Sequence, residues 1–227
     1  MSYSYEWRVG GTVVGTSSTL SSGFVKGDAV TCTITPDDGT DDGDSVEDTV
    51  SVGNSAPSVT SVSIAPTSPQ VDDTLTCSAT ASDDDGDTVT FTYSWSISGT
   101  EVGTSSTLSG AFASGDAVTC TVTPDDGTDT GASLASSAIT IQNTAPVMSS
   151  VTLSPSTAYE ADTLTCAPVA TDADGDAVTY TYAWSVDGST VSATSSTLSG
   201  SFFDKDEDVV CTVTPDDGTD SGSSMDS

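Results

Sequence analysis

The chain has 227 residues, 34 acidic side chains against 3 basic ones, no histidine and a net charge of −31. That balance disfavours nucleic acid, whose phosphates are bound through Lys and Arg. It also removes the commonest general base and neutral metal ligand. A hydrophobic fraction of 34% is thin for one large core, and no run of about 18 apolar residues offers a spanning helix.

In chain order, the first signal is Tyr3-Ser4-Tyr5-Glu6-Trp7, which has neither the basic start nor the apolar stretch of a signal peptide. It returns as Phe91-Thr92-Tyr93-Ser94-Trp95 and as Tyr180-Thr181-Tyr182-Ala183-Trp184, so the tryptophans lie 88 and 89 residues apart. Thr-Ser-Ser-Thr-Leu follows three times, ending at Leu20, Leu108 and Leu198, and Pro-Asp-Asp-Gly-Thr starts at Pro36, Pro124 and Pro215. Asn54-Ser55-Ala56-Pro57 and Asn143-Thr144-Ala145-Pro146 read as linkers. The repeat of about 89 residues is a whole small domain rather than a solenoid coil. Residues 1–54 form a partial repeat lacking its first two strands, 55–143 a complete one, and 144–227 a repeat lacking its last strand. Two readings of the incomplete ends stand: a stretch of a longer array, or a subunit completed by strand addition from a neighbouring chain.

Within the complete repeat, Leu75, Cys77, Ala79 and Ala81 alternate with Thr74, Thr76, Ser78 and Thr80. Val89, Phe91, Tyr93, Trp95 and Ile97 share a face, as do Val118, Cys120 and Val122. Period two with Thr and aromatics predicts half-buried strands. Turns at Asp85-Gly86, Ser98-Gly99, Gly115-Asp116 and Asp126-Gly127 separate them. The prediction is all-β, with strands near 59–65, 74–82, 88–97, 101–103, 105–109, 117–123 and 135–142.

Cys77 and Cys120 flank Trp95, Cys166 and Cys211 flank Trp184, and each first cysteine precedes its tryptophan by 18 residues. This resembles the immunoglobulin arrangement, an inter-sheet disulfide packed on a buried indole. Together with Asn-x-Ala-Pro, Asp-x-Asp-Gly-Asp before the aromatic run, and Pro-Asp-Asp-Gly-Thr, the whole chain resembles tandem Ig-like repeats of the PKD/cadherin-like sort. Such repeats occur in large secreted or surface proteins of bacteria and archaea. The resemblance implies β-sandwiches, Cys77–Cys120 and Cys166–Cys211 disulfides, an oxidising extracellular or cell-surface setting, and a spacer or adhesive role. Cys32 matches Cys120, with its partner expected upstream or its thiol free. Val30, Val118 and Val209 stand where antibody-type domains carry a corner tyrosine.

All but five of the 34 acids are Asp, and they gather in turns. Asp83-Asp84-Asp85-Gly86-Asp87 and Asp172-Ala173-Asp174-Gly175-Asp176 place short carboxylates around a Gly, as the oxygen-rich shell of Ca²⁺ requires. They are not EF-hands, because Gly is fourth and Ser94 or Ala183 stands at position twelve. The competing reading is that Asp and Gly simply favour turns and keep the chain soluble. In an Ig-like sandwich the second and sixth inter-strand loops share one end. One candidate calcium set is therefore Asp83, Asp85, Asp87, Asp125, Asp126 and Asp129 with linker Asn54. The next repeat supplies Asp172, Asp174, Asp176, Asp216 and Asp217 with linker Asn143.

Three functions compete on this sequence. A calcium-stiffened spacer, with neighbouring repeats as its partners, fits loops that recur in every copy. An adhesion module would grip a glycan or protein through loops or sheet edges, but Trp7, Trp95 and Trp184 sit on the inward face of the alternation. An enzyme has no supporting constellation, since paired aspartates of the glycosidase kind here repeat within turn motifs.

Overall fold

The computed structural model describes residues 1–110 and 112–227. Residues 1–54 form four antiparallel strands, β1 (Ser2–Val9), β2 (Thr12–Gly15), β3 (Ala29–Asp37) and β4 (Val46–Ser51), in the order β2-β1-β3-β4. Trp7 stands opposite Cys32, and Cys32 opposite Asp48. Thr19–Ser21, which match a strand in the next repeat, form none here. No second sheet covers this one among the described residues. Trp7 is accordingly only half-buried, Val46 and Val50 are exposed, and Cys32 is a half-buried free thiol.

Residues 55–143 carry β5 (Ser58–Ala65), β6 (Thr74–Ser82), β7 (Thr90–Ile97), β8 (Thr100–Gly103), β9 (Thr107–Ser109), β10 (Ala117–Asp125), β11 (Leu134–Ala135) and β12 (Ile139–Thr140). Sheet β5-β6-β9 packs on sheet β11-β10-β7-β8, to which β12 adds along β10. Ile64, Leu75 and Cys77 from the first sheet meet Trp95, Val118, Cys120 and Val122 from the second. Ile141 closes one end of this core at 1% exposure. The inward-facing alternation explains the sandwich: each strand presents its apolar set to one side. The strand expected over 135–142 is instead two short pieces, β11 and β12. Between them the Ser136 hydroxyl accepts from Cys120 N–H at 3.1 Å and so takes the place of a ladder carbonyl.

Residues 144–227 repeat the plan with β13 (Val147–Ser154), β14 (Thr163–Thr171), β15 (Thr179–Val186), β16 (Ser189–Val191), β17 (Thr197–Ser199), β18 (Val209–Asp216) and β19 (Met225–Asp226), plus a 3₁₀ turn at Gly200–Phe202. Sheet β13-β14-β17 faces β16-β15-β18-β19. The two sandwiches have separate cores, one around Trp95 and one around Trp184. Each indole N–H donates to a local carbonyl, Trp95 to Ser105 at 2.8 Å and Trp184 to Ser195 at 2.9 Å, so the buried polar atom is satisfied. Disulfides Cys77–Cys120 and Cys166–Cys211 cross between the sheets, with Cα atoms 6.3 and 6.4 Å apart. The chain thus carries two Ig-like β-sandwich repeats in tandem, preceded by a single four-stranded sheet of the same repeat.

The uncovered sheet predicts uneven protection. Amide exchange should be faster over β1–β4 than over β6, β7 and β10, because local opening is cheapest where few apolar contacts must break. Equal protection in dilute solution would contradict the uncovered sheet.

Candidate cation sites at the repeat junctions

The loop between β6 and β7 is folded by its first residue. Asp83 Oδ1 accepts from the N–H groups of Asp85 (2.9 Å) and Asp87 (3.1 Å), and Gly86 takes the φ of +79° that the turn demands. The winding converges the acids: one carboxylate oxygen from each of Asp83, Asp85 and Asp87 lies within 4.8 Å of the others. The loop after β10 is closed in the same way, with Asp126 Oδ1 accepting from Thr128 and Asp129 N–H, each at 2.7 Å.

The linker joins the two loops. Asn54 Nδ2 donates to Asp126 Oδ2 (2.9 Å) and Asp129 Oδ2 (2.8 Å), while Ser55 N–H donates to Asp85 Oδ2 (2.6 Å). The next junction copies this arrangement. Asp172 Oδ1 accepts from Asp174 (2.9 Å) and Asp176 (3.1 Å), and the carboxylates of Asp172, Asp174 and Asp176 again converge within 4.8 Å. Asn143 Nδ2 donates to Asp217 (2.9 Å) and Asp220 (3.0 Å), and Thr144 N–H to Asp174 (2.6 Å).

Two of the sequence candidates stand apart from these clusters. Asp125 spends one oxygen on Gly127 N–H and the other on the Thr130 hydroxyl, and Asp216 does the same with Gly218 and Ser221. These carboxylates shape their own turns. Asp220, by contrast, is a linker partner that the register with Asp129 would have revealed. The Ser55 and Thr144 backbone donors carry no sequence signal, because any residue but Pro has that N–H.

Among the described residues, five buried side-chain polar atoms lack a hydrogen-bond partner, and all lie at these two junctions. They are Asn54 Oδ1 and Asp83 Oδ2 at the first, and Thr144 Oγ1, Asp172 Oδ2 and Asp174 Oδ1 at the second. Leaving a buried acceptor unmet costs about 1–3 kcal/mol, and more for a charged one. Oxygens of carboxylate, amide and hydroxyl type are the donor set of a hard divalent cation. A cavity of about 770 Å³ in the third repeat, lined by Leu153, Tyr159, Phe203 and Val209 among others, includes none of these residues.

The linker contacts also set a pH dependence. The Asn54 amide, then Asp129 N–H, hold Asp126 below its ordinary 3.8, and Asp220 N–H followed by the Asn143 amide do the same for Asp217. A depressed carboxyl stabilises the fold above its unfolded value and loses that contribution as pH falls through the folded one. The Asn54 and Asn143 side-chain amide resonances should therefore hold constant through neutral and mildly acidic pH and move only as the pH falls through the lowered carboxyl range. Resonances already moving near pH 6 would contradict this assignment.

No family model and no curated protein matches the chain. Among solved structures, it is similar to the three N-terminal domains of the Highly Immunogenic Outer Capsid protein (Hoc) of bacteriophage RB49. That match has 16% identity and a TM-score of 0.35, covering 100% of this chain and 86% of the other. It is also similar to the FN1–FN3 domains of chicken CNTN1, at 7% identity and a TM-score of 0.32, covering 99% and 90%.

Proposed function

We propose that the chain is a non-enzymatic spacer of an extracellular or cell-surface protein, its repeats held in line by calcium at the junctions. The observation that carries this reading is the convergence, at both linkers, of an Asp-x-Asp-Gly-Asp loop, a linker Asn and buried oxygens without partners. Calcium would be held by Asp83, Asp85 and Asp87 with Asn54 Oδ1, and by Asp172, Asp174 and Asp176 with Thr144 Oγ1. It would offset the mutual repulsion of the carboxylates and tie each linker to the repeat that follows. Two inter-sheet disulfides support the oxidising setting. The recurrence of the same loops favours a mechanical role over a dedicated ligand site, and the adhesive reading gains no loop unlike its counterparts.

Calorimetric titration with calcium tests this. The expected affinity is on the order of 10⁻⁴–10⁻³ M, as for extracellular calcium modules. Asp83→Asn and Asp172→Asn keep the oxygen that accepts the two N–H groups but remove the charge, so each should abolish binding at its own junction. The absence of binding heat in the wild type at millimolar calcium would reduce the aspartates to solubilising turns.

A further inference from the structure

One difference between the two junctions is a charge at the corner of the repeat that precedes each linker. Val25-Lys26-Gly27-Asp28 in the first repeat occupies the corner that Ala113-Ser114-Gly115-Asp116 occupies in the second. Asp28 Oδ2 accepts from Val25 N–H (2.7 Å) as Asp116 Oδ2 does from Ala113 N–H (2.9 Å). Gly27 donates to Val52 O at 3.0 Å as Gly115 does to Ile141 O at 2.9 Å, with φ of +85° and +84°. Lys26 and Ser114 are therefore structural equivalents.

From this corner the Lys26 ammonium reaches across the junction to Asp87 Oδ2 at 2.6 Å, with both side chains about two-thirds covered (33% and 34% exposed). The hydrogen bond to Asp87 raises its pKa, and the charges of Asp87, Asp126 and Asp85 add to the effect. Ser114 is exposed and carries no charge. The remaining bases are engaged elsewhere, Arg8 with Glu6 and Lys205 with its exposed neighbour Asp206. Among the described residues no base pairs with Asp172, Asp174 or Asp176.

We infer that Lys26 is a built-in cation of the first junction, which holds the first repeat on the second even without a divalent ion, whereas the second junction depends on calcium for its alignment. An isolated exposed ion pair contributes little, but this ammonium lies in the field of three carboxylates and replaces part of the charge a metal would supply. Calcium at the first site binds against an ammonium already seated on one carboxylate. At the second site it meets none, so the second site binds it more tightly. The calcium half rests on the function proposed above; the Lys26 half stands without it.

The test is reorientation of the three repeats, read from residual dipolar couplings of the full chain in chelator and in calcium. In chelator the wild type should show the first two repeats sharing one alignment and the third moving independently; calcium should couple the third. Lys26→Ser, which copies the second junction, should free the first repeat in chelator. Ser114→Lys, which copies the first, should couple the third repeat without calcium. Calcium affinity should be at least tenfold higher at the second site, and Lys26→Ser should close that gap. A first repeat that moves freely in the chelated wild type, or that Lys26→Ser leaves coupled, overturns the inference. If calcium changes no alignment, the calcium reading fails, and Lys26→Ser in chelator still decides whether Lys26 joins the first two repeats.

Discussion

Replacing Cys77 and Cys120 together by alanine should unfold the second repeat at temperatures where the third, with its own disulfide, remains folded. The bond closes a loop across a sequence separation of 43. The chain-entropy estimate for that length is about 4 kcal/mol, a large part of the roughly 5–15 kcal/mol that holds a domain folded. The core is also small, so little else can compensate. Two-domain melting curves should separate into two transitions, with the lower one absent from the Cys166→Ala/Cys211→Ala chain and replaced by loss of the third repeat. Cys32→Ala should shift stability by no more than about 0.5 kcal/mol, because Cys32 has no partner to lose. A double mutant of Cys77 and Cys120 melting within a degree or two of wild type would show that the cores alone hold the sandwiches.

Trp95→Ala should be comparably severe and Trp7→Ala mild, although the two residues occupy the same place in the repeat. Trp95 is 0% exposed between two sheets and touches the disulfide cluster. Emptying such a site costs about 3–5 kcal/mol, or a fall of roughly 15–30 °C in the midpoint of a domain this size. Trp7 lies on a sheet with nothing opposite it among the described residues, so its removal forfeits only partial burial, about 1–2 kcal/mol. Equal losses at both positions would mean that the first sheet is covered in solution by something as extensive as β5, β6 and β9.

Much of this architecture is legible in the alternation of the chain. Thr74–Ser82 alternates without interruption and forms a strand over that range, because an apolar face every second residue has only one way to be buried. The split last strand was not legible. It depends on whether the Ser136 side chain or a backbone carbonyl receives Cys120 N–H, a choice among near-equivalent acceptors that periodicity does not encode. At the junctions, the Asp-x-Asp-Gly-Asp spacing and the linker asparagines were visible as clusters of short side chains around a turn. Asp125 and Asp216 look the same in sequence but face into their own turns, since neighbours in a chain need not share a side. Lys26 gave no signal either. Its contact with Asp87 spans 61 residues and exists only because two repeats meet at a particular orientation.

Small-angle scattering of the full chain in calcium and in chelator tests most directly whether a cation at the acidic loops governs how the repeats align. A strand of about ten residues runs about 33 Å, so nearly collinear sandwiches give a long particle with rod-like scattering. With calcium, the wild type should show the larger maximum dimension and a narrow distance distribution. Chelator should shorten and broaden that distribution by freeing the junction at Asn143, and Asp172→Asn should do so even in calcium. Superimposable curves for the wild type in calcium and in chelator would contradict the account.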